Sequence, residues 1–132
     1  MRDLEKTAEY LALNTLVFHG RKFEEAFAMA AELGFKYVEP ACIKNYYPDI
    51  IDDSFFSEEN GRKFLALTTE TGLKVKSVGV HFNMGDNLKD ADEMKKRLDF
   101  AKEMGAEIVI TNGAVKQNEK GFFDCIEKVT PV

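Results

Sequence analysis

No stretch of the 132-residue sequence approaches the roughly 18 consecutive apolar residues that a membrane span requires, so a membrane-spanning helix is excluded. The first ten residues hold no secretory signal, because Arg2, Asp3, Glu5, Lys6 and Glu9 break up any apolar core there. Cysteine is scarce. Cys42 and Cys125 lie far apart and outside any C-x-x-C or Cys/His zinc spacing, which fits free thiols in a reducing, cytoplasmic setting. Lysine and arginine form no block, and the net charge is −5, which argues against nucleic acid as the main partner. Phosphate-binding glycine signatures are also missing. The segment Phe18-His19-Gly20-Arg21-Lys22-Phe23 has one glycine where G-x-G-x-x-G needs three, and no G-x-x-x-x-G-K-[ST] occurs. A chain of this length has material for one core, so residues 1–132 are read as a single domain.

What the sequence does contain is a phrase used three times: a helical pattern, a glycine, an apolar residue, a charged residue and a β-rich run. It reads Gly34-Phe35-Lys36-Tyr37-Val38-Glu39, then Gly72-Leu73-Lys74-Val75, then Gly105-Ala106-Glu107-Ile108-Val109. Each glycine suits the left-handed position just past a helix end. Before the first, Phe23, Ala26, Phe27, Ala30 and Leu33 recur at helical spacing. Before the second, Ser57 is the expected N-cap, with Glu58 and Glu59 in the first turn and Phe64 and Leu67 on the apolar side. Before the third, a helix from Asp90 or Asp92 carries Met94, Leu98, Ala101 and Met104, while Lys95, Lys96, Arg97 and Lys102 read as a solvated face. A fourth helical pattern begins near Gly121 with Phe122, Cys125, Ile126 and Val129.

The expected strands are Leu11 to Phe18, Lys36 to Pro40, Lys74 to Phe82 and Glu107 to Thr111. Strict alternation of strand and helix predicts an α/β fold with a parallel sheet and right-handed crossovers. Without the Rossmann glycines, a barrel is favoured over an open doubly wound sheet. The phrase glycines lie 38 and 33 residues apart, so the next would fall a few residues beyond Val132. A complete barrel takes about 250 residues. The expectation is therefore a parallel (β/α)4 half of a TIM barrel, truncated in the fourth helix, with exposed edge strands through which two copies could form a homodimer.

Barrel sites form at the C-terminal ends of strands. The polar residues there are Asn14 and His19 around strand one, Glu39 at strand two, His81 and Asn83 at strand three, and Thr111 and Asn112 at strand four. A carboxylate, an imidazole and several amides at one mouth suit polyol binding, a metal ion, or proton transfer beside a carbonyl. Each also has a plain structural use. Glu39 could accept backbone or lysine hydrogen bonds, Asn14 could bond within the core, His19 could be a solvated loop residue, and Asn112-Gly113 is an ordinary turn signal. The segment with Asp49, Asp52 and Asp53 among Tyr46, Tyr47, Phe55 and Phe56 could be a substrate lid or a surface excursion. Lys44 and Lys116 are candidates to meet a sugar phosphate, and Cys42 and Cys125 read as structural thiols.

Leu11-Ala12-Leu13-Asn14-Thr15, then Phe23-Glu24-Glu25-Ala26 with Ala31-Glu32-Leu33-Gly34-Phe35-Lys36-Tyr37-Val38-Glu39, and the Val80-His81 strand end resemble the xylose-isomerase-like barrels, the sugar phosphate isomerases and epimerases. The resemblance runs from Tyr10 to about Val129. It implies a metal-dependent isomerase or epimerase of a sugar or sugar phosphate, with Asn14, Glu39, His81, Asn83 and Asn112 on the substrate. It also implies a divalent metal (Mn, Mg, Co or Zn), whose usual ligands come from later strands and so beyond residue 132. The resemblance leaves room for a dehydratase or lyase. The related apurinic endonucleases use histidines ending strands three and four, and here only His81 fits, since Thr111-Asn112-Gly113 stands at the second place. A dimeric half barrel acting as a binding or structural module is the alternative from another class.

Overall fold

The computed structural model describes residues 11–44, 48, 51–113 and 118–130. Tyr46, Tyr47, Asp49 and Lys116, named above, lie outside the described residues. The elements in chain order are β1 (Ala12–Asn14), α1 (Phe23–Glu32), β2 (Tyr37–Glu39), α2 (Glu58–Thr71), β3 (Lys74–Val75), β4 (Ser77–Asn83), α3 (Asp90–Met104), β5 (Ile108–Asn112) and α4 (Glu119–Val129). Among the described residues the fold is α/β, with parallel strands and four helices.

Strand β2 pairs with β1 on one side and β3 on the other, and β4 pairs with β5, always in parallel. A bridge between Ala41 and Gly79 carries the line of β2 past β3 onto β4. Neighbours in space are thus neighbours in sequence, with no reversal of strand order. The three phrase glycines have φ of +83°, +72° and +84° and end α1, α2 and α3 as expected. Ser57 caps α2, its hydroxyl accepting the Asn60 N–H at 3.3 Å.

Two strands depart from expectation. The first was expected over Leu11 to Phe18, yet β1 stops at Asn14. The Asn14 side-chain oxygen accepts the Leu16 N–H at 2.9 Å, and this local bond turns the chain into a 3₁₀ segment over Thr15–Phe18. The third expected strand is interrupted at Lys76 and continues to Asn83, with a bulge between Gly79 and Asn83.

Alternation along the strands places Leu13, Val38, Val78, Val80 and Val109 on one face. These pack with Phe23 and Phe27 of α1, Phe64 of α2, and Phe100 and Met104 of α3. Phe100 packs within a ring cluster, its centroid 5.5–5.7 Å from those of Phe55, Phe56 and Phe64. A second cluster joins Met94, Cys125, Phe122 and Ile126, and Val109 touches both. The four helices pack in series, α1 on α2, α2 on α3, α3 on α4. At the α2–α3 contact, a Cβ on Gly61 would fall 2.6 Å from the Phe100 carbonyl oxygen, so the two helices meet where there is no side chain. The helices therefore share one face of the strands. The opposite face, with Ala12, Glu39, Ser77, His81, Ile108 and Ile110, stays at least partly open.

Candidate functional site

Glu39 ends β2 on the open face, half-buried. Its Oε1 accepts from Asn14 Nδ2 at 2.7 Å, and its Oε2 accepts a hydrogen bond from the Ser77 hydroxyl. Asn14 is held in turn by the Leu16 N–H on its own side-chain oxygen. The carboxylate is thus fixed from two neighbouring strands. Ser77 begins β4, and a search restricted to strand ends overlooks it. It meets Glu39 because the register sets Val38 against Val75, which a sequence does not display.

His81 lies further along β4, with its ring on the face that Ser77 and Gly79 share. Its φ is +35°, a left-handed conformation that costs a side-chain-bearing residue energy. The bulge imposes this, and the imidazole folds back over Gly79. A Cβ built at Gly79 would be 3.5 Å from both the ring Cδ2 and Nε2. Strained residues of this kind concentrate at functional positions. Asn83 and Asn112 end β4 and β5 and face each other, Asn112 Nδ2 donating to Asn83 Oδ1 at 3.4 Å.

Thr111 turns inward to the backbone. Its hydroxyl donates to the Phe82 carbonyl at 2.7 Å and accepts the Phe82 N–H at 3.3 Å, bridging the bulge. His19 is exposed at the end of the 3₁₀ segment, its N–H bonded to the Leu16 carbonyl at 3.1 Å. The predicted residues therefore fall into two groups on one face: Asn14 with Glu39, and His81 with Asn83 and Asn112.

His81 and Asn83 of the second group border a cleft of about 890 Å³, a size suited to a small molecule, which Asn112 does not line. His81, Asn83, Lys44, Asp53, Glu93 and Arg97 are among its walls. Arg97 overturns the solvated-face reading of α3. Lys95, Lys96 and Lys102 are exposed, but Arg97 retains only 3% of its exposure. Its guanidinium lies 4.1 Å from the Phe56 ring centroid and 4.3 Å from that of Phe82. Nη2 donates to Asp53 at 3.1 Å, and Nη1 donates to the Glu93 carbonyl at 2.9 Å and to its carboxylate at 3.4 Å. Nε is buried without a partner. The hydrogen bond from Arg97 holds the Asp53 carboxyl below its ordinary value, against the opposing effect of burial and with help from Lys44 at 3.4 Å. A signal for Arg97 was present: with Met94, Ala101 and Met104 it keeps the three- and four-residue spacing of the apolar stripe.

Both cysteines are buried, as expected of structural thiols. Burial raises the Cys125 pKa, the nearby Asp90 adds to this, and Lys128 opposes it. A thiol so placed stays protonated and is a poor nucleophile at neutral pH. Among the described residues, no helix is long and apolar enough to cross a membrane.

No family model matches the chain, and no curated protein matches it in sequence. Among solved structures, the chain is similar to the apo form of 3-keto-D-glucoside 4-epimerase, YcjR, from E. coli, at 15% identity and a TM-score of 0.60. The similarity covers 90% of this chain and 49% of that one. It is a likeness of fold, and the chain spans about half the length of the protein it resembles.

Proposed function

We propose that the chain carries one half of the site of a sugar or sugar-phosphate isomerase or epimerase, on a (β/α)4 half of a xylose-isomerase-like barrel, in a cytoplasmic protein. Strand order that follows chain order, with every helix on one face, supports the half-barrel part of this reading. The observation that carries the functional part is Glu39. Its carboxylate stands on the open face, oriented by Asn14 and Ser77, with His81, Asn83 and Asn112 on the same face. A polyol presents hydroxyls that donate and accept, and a carboxylate, an imidazole and two amides complement both roles. Isomerisation and epimerisation also need a group that moves a proton beside a carbonyl, for which a carboxylate and an imidazole are the usual carriers. The name of the structural neighbour, a sugar epimerase, points the same way.

The described residues do not fit a divalent metal by themselves. No group of three or more His, Cys, Asp or Glu converges among them, and both Glu39 oxygens are engaged by Asn14 and Ser77. We assign this chain the binding and orienting of the sugar, and any Mn, Mg, Co or Zn to residues outside it.

Titration of the chain with aldoses, ketoses, their phosphates and 3-keto-glucosides, followed by amide NMR, tests this. The expected result is saturable shifts at Asn14, Glu39, His81 and Asn83, weakened by Glu39→Gln and by His81→Ala. If no sugar class shifts these amides, or both variants respond like the parent chain, the reading is wrong.

A further inference from the structure

We infer that Thr111 and Arg97 are positioning residues for His81: from two different elements they pin Phe82, the next residue along β4, and so hold the left-handed turn that sets the imidazole on the wall of the cleft. The inference rests on the reading above for the part that His81 plays toward a sugar, and on geometry alone for how His81 is held.

The register shows where the turn comes from. Gly79 and Asn83 are four residues apart on β4, while their partners on β5, Ile110 and Asn112, are two apart. The surplus falls at Val80, His81 and Phe82, which lose their regular ladder partners. Thr111, the residue between those two partners, fills the gap with its side chain: its hydroxyl accepts the Phe82 N–H at 3.3 Å and donates to the Phe82 carbonyl at 2.7 Å. A hydroxyl can do both, because it carries a donor and two acceptor sites. On the other side of the bulge, Gly79 is tied to the chain that follows β2. Its N–H donates to the Pro40 carbonyl at 2.9 Å, and its carbonyl accepts the Cys42 N–H at 2.7 Å.

The ring of Phe82 is the second anchor. The Arg97 guanidinium lies over it, 4.3 Å from the ring centroid, and Arg97 is itself fixed by Asp53, Glu93 and Phe56. His81 therefore stands between two fixed points, Gly79 before it and Phe82 after it. Its imidazole makes no hydrogen bond of its own among the described residues, so the direction of the ring follows from the backbone. A side-chain-bearing residue disfavours a left-handed backbone by roughly tenfold, and such a conformation persists where its surroundings over-determine it. Thr111 and Arg97 supply that determination. This also accounts for a polar strand-end residue, Thr111, that turns inward, and for a guanidinium buried beside the cleft.

NMR of the 132-residue chain, free and with the sugars named above, tests the proposal. The one-bond Cα–Hα coupling of His81 distinguishes a positive φ from the ordinary range, and in the parent chain it should report the positive value. Thr111→Val keeps the side-chain shape and removes both hydrogen bonds to Phe82, so the coupling should move to the ordinary range, and Arg97→Ala should move it the same way. Thr111→Ser restores the hydroxyl and should restore the parent value. With roughly one molecule in ten then keeping the competent turn, sugar affinity should fall about tenfold in Thr111→Val and Arg97→Ala. Phe27→Leu, in the core cluster that Phe82 does not join, should lower the urea midpoint and leave the coupling unchanged. Where Arg97→Ala does not fold, Thr111→Val decides alone. A parent-like coupling in Thr111→Val would overturn the proposal. So would a change in Phe27→Leu as large as that in Thr111→Val, or a relaxed His81 with undiminished sugar affinity. If the coupling responds as expected and no sugar binds the parent chain, the functional reading falls and the positioning of His81 stands.

Discussion

Replacing Arg97 is the most informative perturbation of the described site. Truncation to alanine removes a charge-assisted hydrogen bond to Asp53, worth about 1.5–3 kcal/mol, and stacking on Phe56 and Phe82, worth about 0.5–1 kcal/mol per ring. It also leaves a void beside both rings. Two effects offset this loss. Asp53 is about half exposed and regains water once released, and the desolvation of the guanidinium, with its orphaned Nε, disappears. The net expectation for Arg97→Ala is a loss of about 3 kcal/mol. Methionine keeps the aliphatic stem between the rings while removing charge and orphan, so Arg97→Met should cost about 1 kcal/mol. Urea unfolding followed by circular dichroism separates the two, and the thermal midpoint of a domain this size should fall by roughly 3–6 °C per kcal/mol. Losses below about 0.5 kcal/mol for both variants would refute the argument, since surface substitutions behave that way. Equal losses would show that charge alone matters and the rings do not.

Three further outcomes follow from the same structure. Because the Asp53 carboxyl is held below its ordinary value of 3.8, its contribution to stability is complete above that value and is lost as pH falls through the lower folded one; acid unfolding of Asp53→Asn should show a shallower loss in that range. Gly61→Ala forces a Cβ to within 2.6 Å of the Phe100 carbonyl oxygen, so the gain in helix propensity is outweighed and a net loss of about 1–3 kcal/mol is expected in urea melts. His81 holds a positive φ, so His81→Gly should be about 1 kcal/mol more stable than His81→Ala, and the opposite order would show that the bulge is unstrained.

The elements that were legible in the sequence are those set by local chemistry. Gly34, Gly72 and Gly105 end helices because a left-handed turn excludes a Cβ, and Ser57 starts one because its hydroxyl reaches a nearby N–H. Glu39 and His81 could be placed near strand ends because the residue patterns that mark strands are equally local. Contacts set by register or by distant partners were not legible. Ser77 reaches Glu39 through a pairing of β2 with the β3–β4 line, and Arg97 is buried by Phe56 and Asp53, more than forty residues earlier in the chain. The spacing of Arg97 with Met94, Ala101 and Met104 marked the buried side of the helix, whereas the partners that it meets there come from elsewhere in the chain. The early end of β1 is a different case: Asn14 competed with the sheet for its own backbone, a choice that strand propensity alone does not decide.

The agreement of strand order with chain order also bears on how the molecule assembles. Ala12 pairs with Tyr37, Tyr37 with Lys74, Ser77 with Ile108 and Ala41 with Gly79, so among the described residues no strand pairing spans more than 38 residues. Loop-closure entropy grows only slowly over such spans, and no early strand must wait for a distant one. Each β/α unit can dock on the one before it as it leaves the ribosome, so folding can proceed outward from the N-terminal units during synthesis.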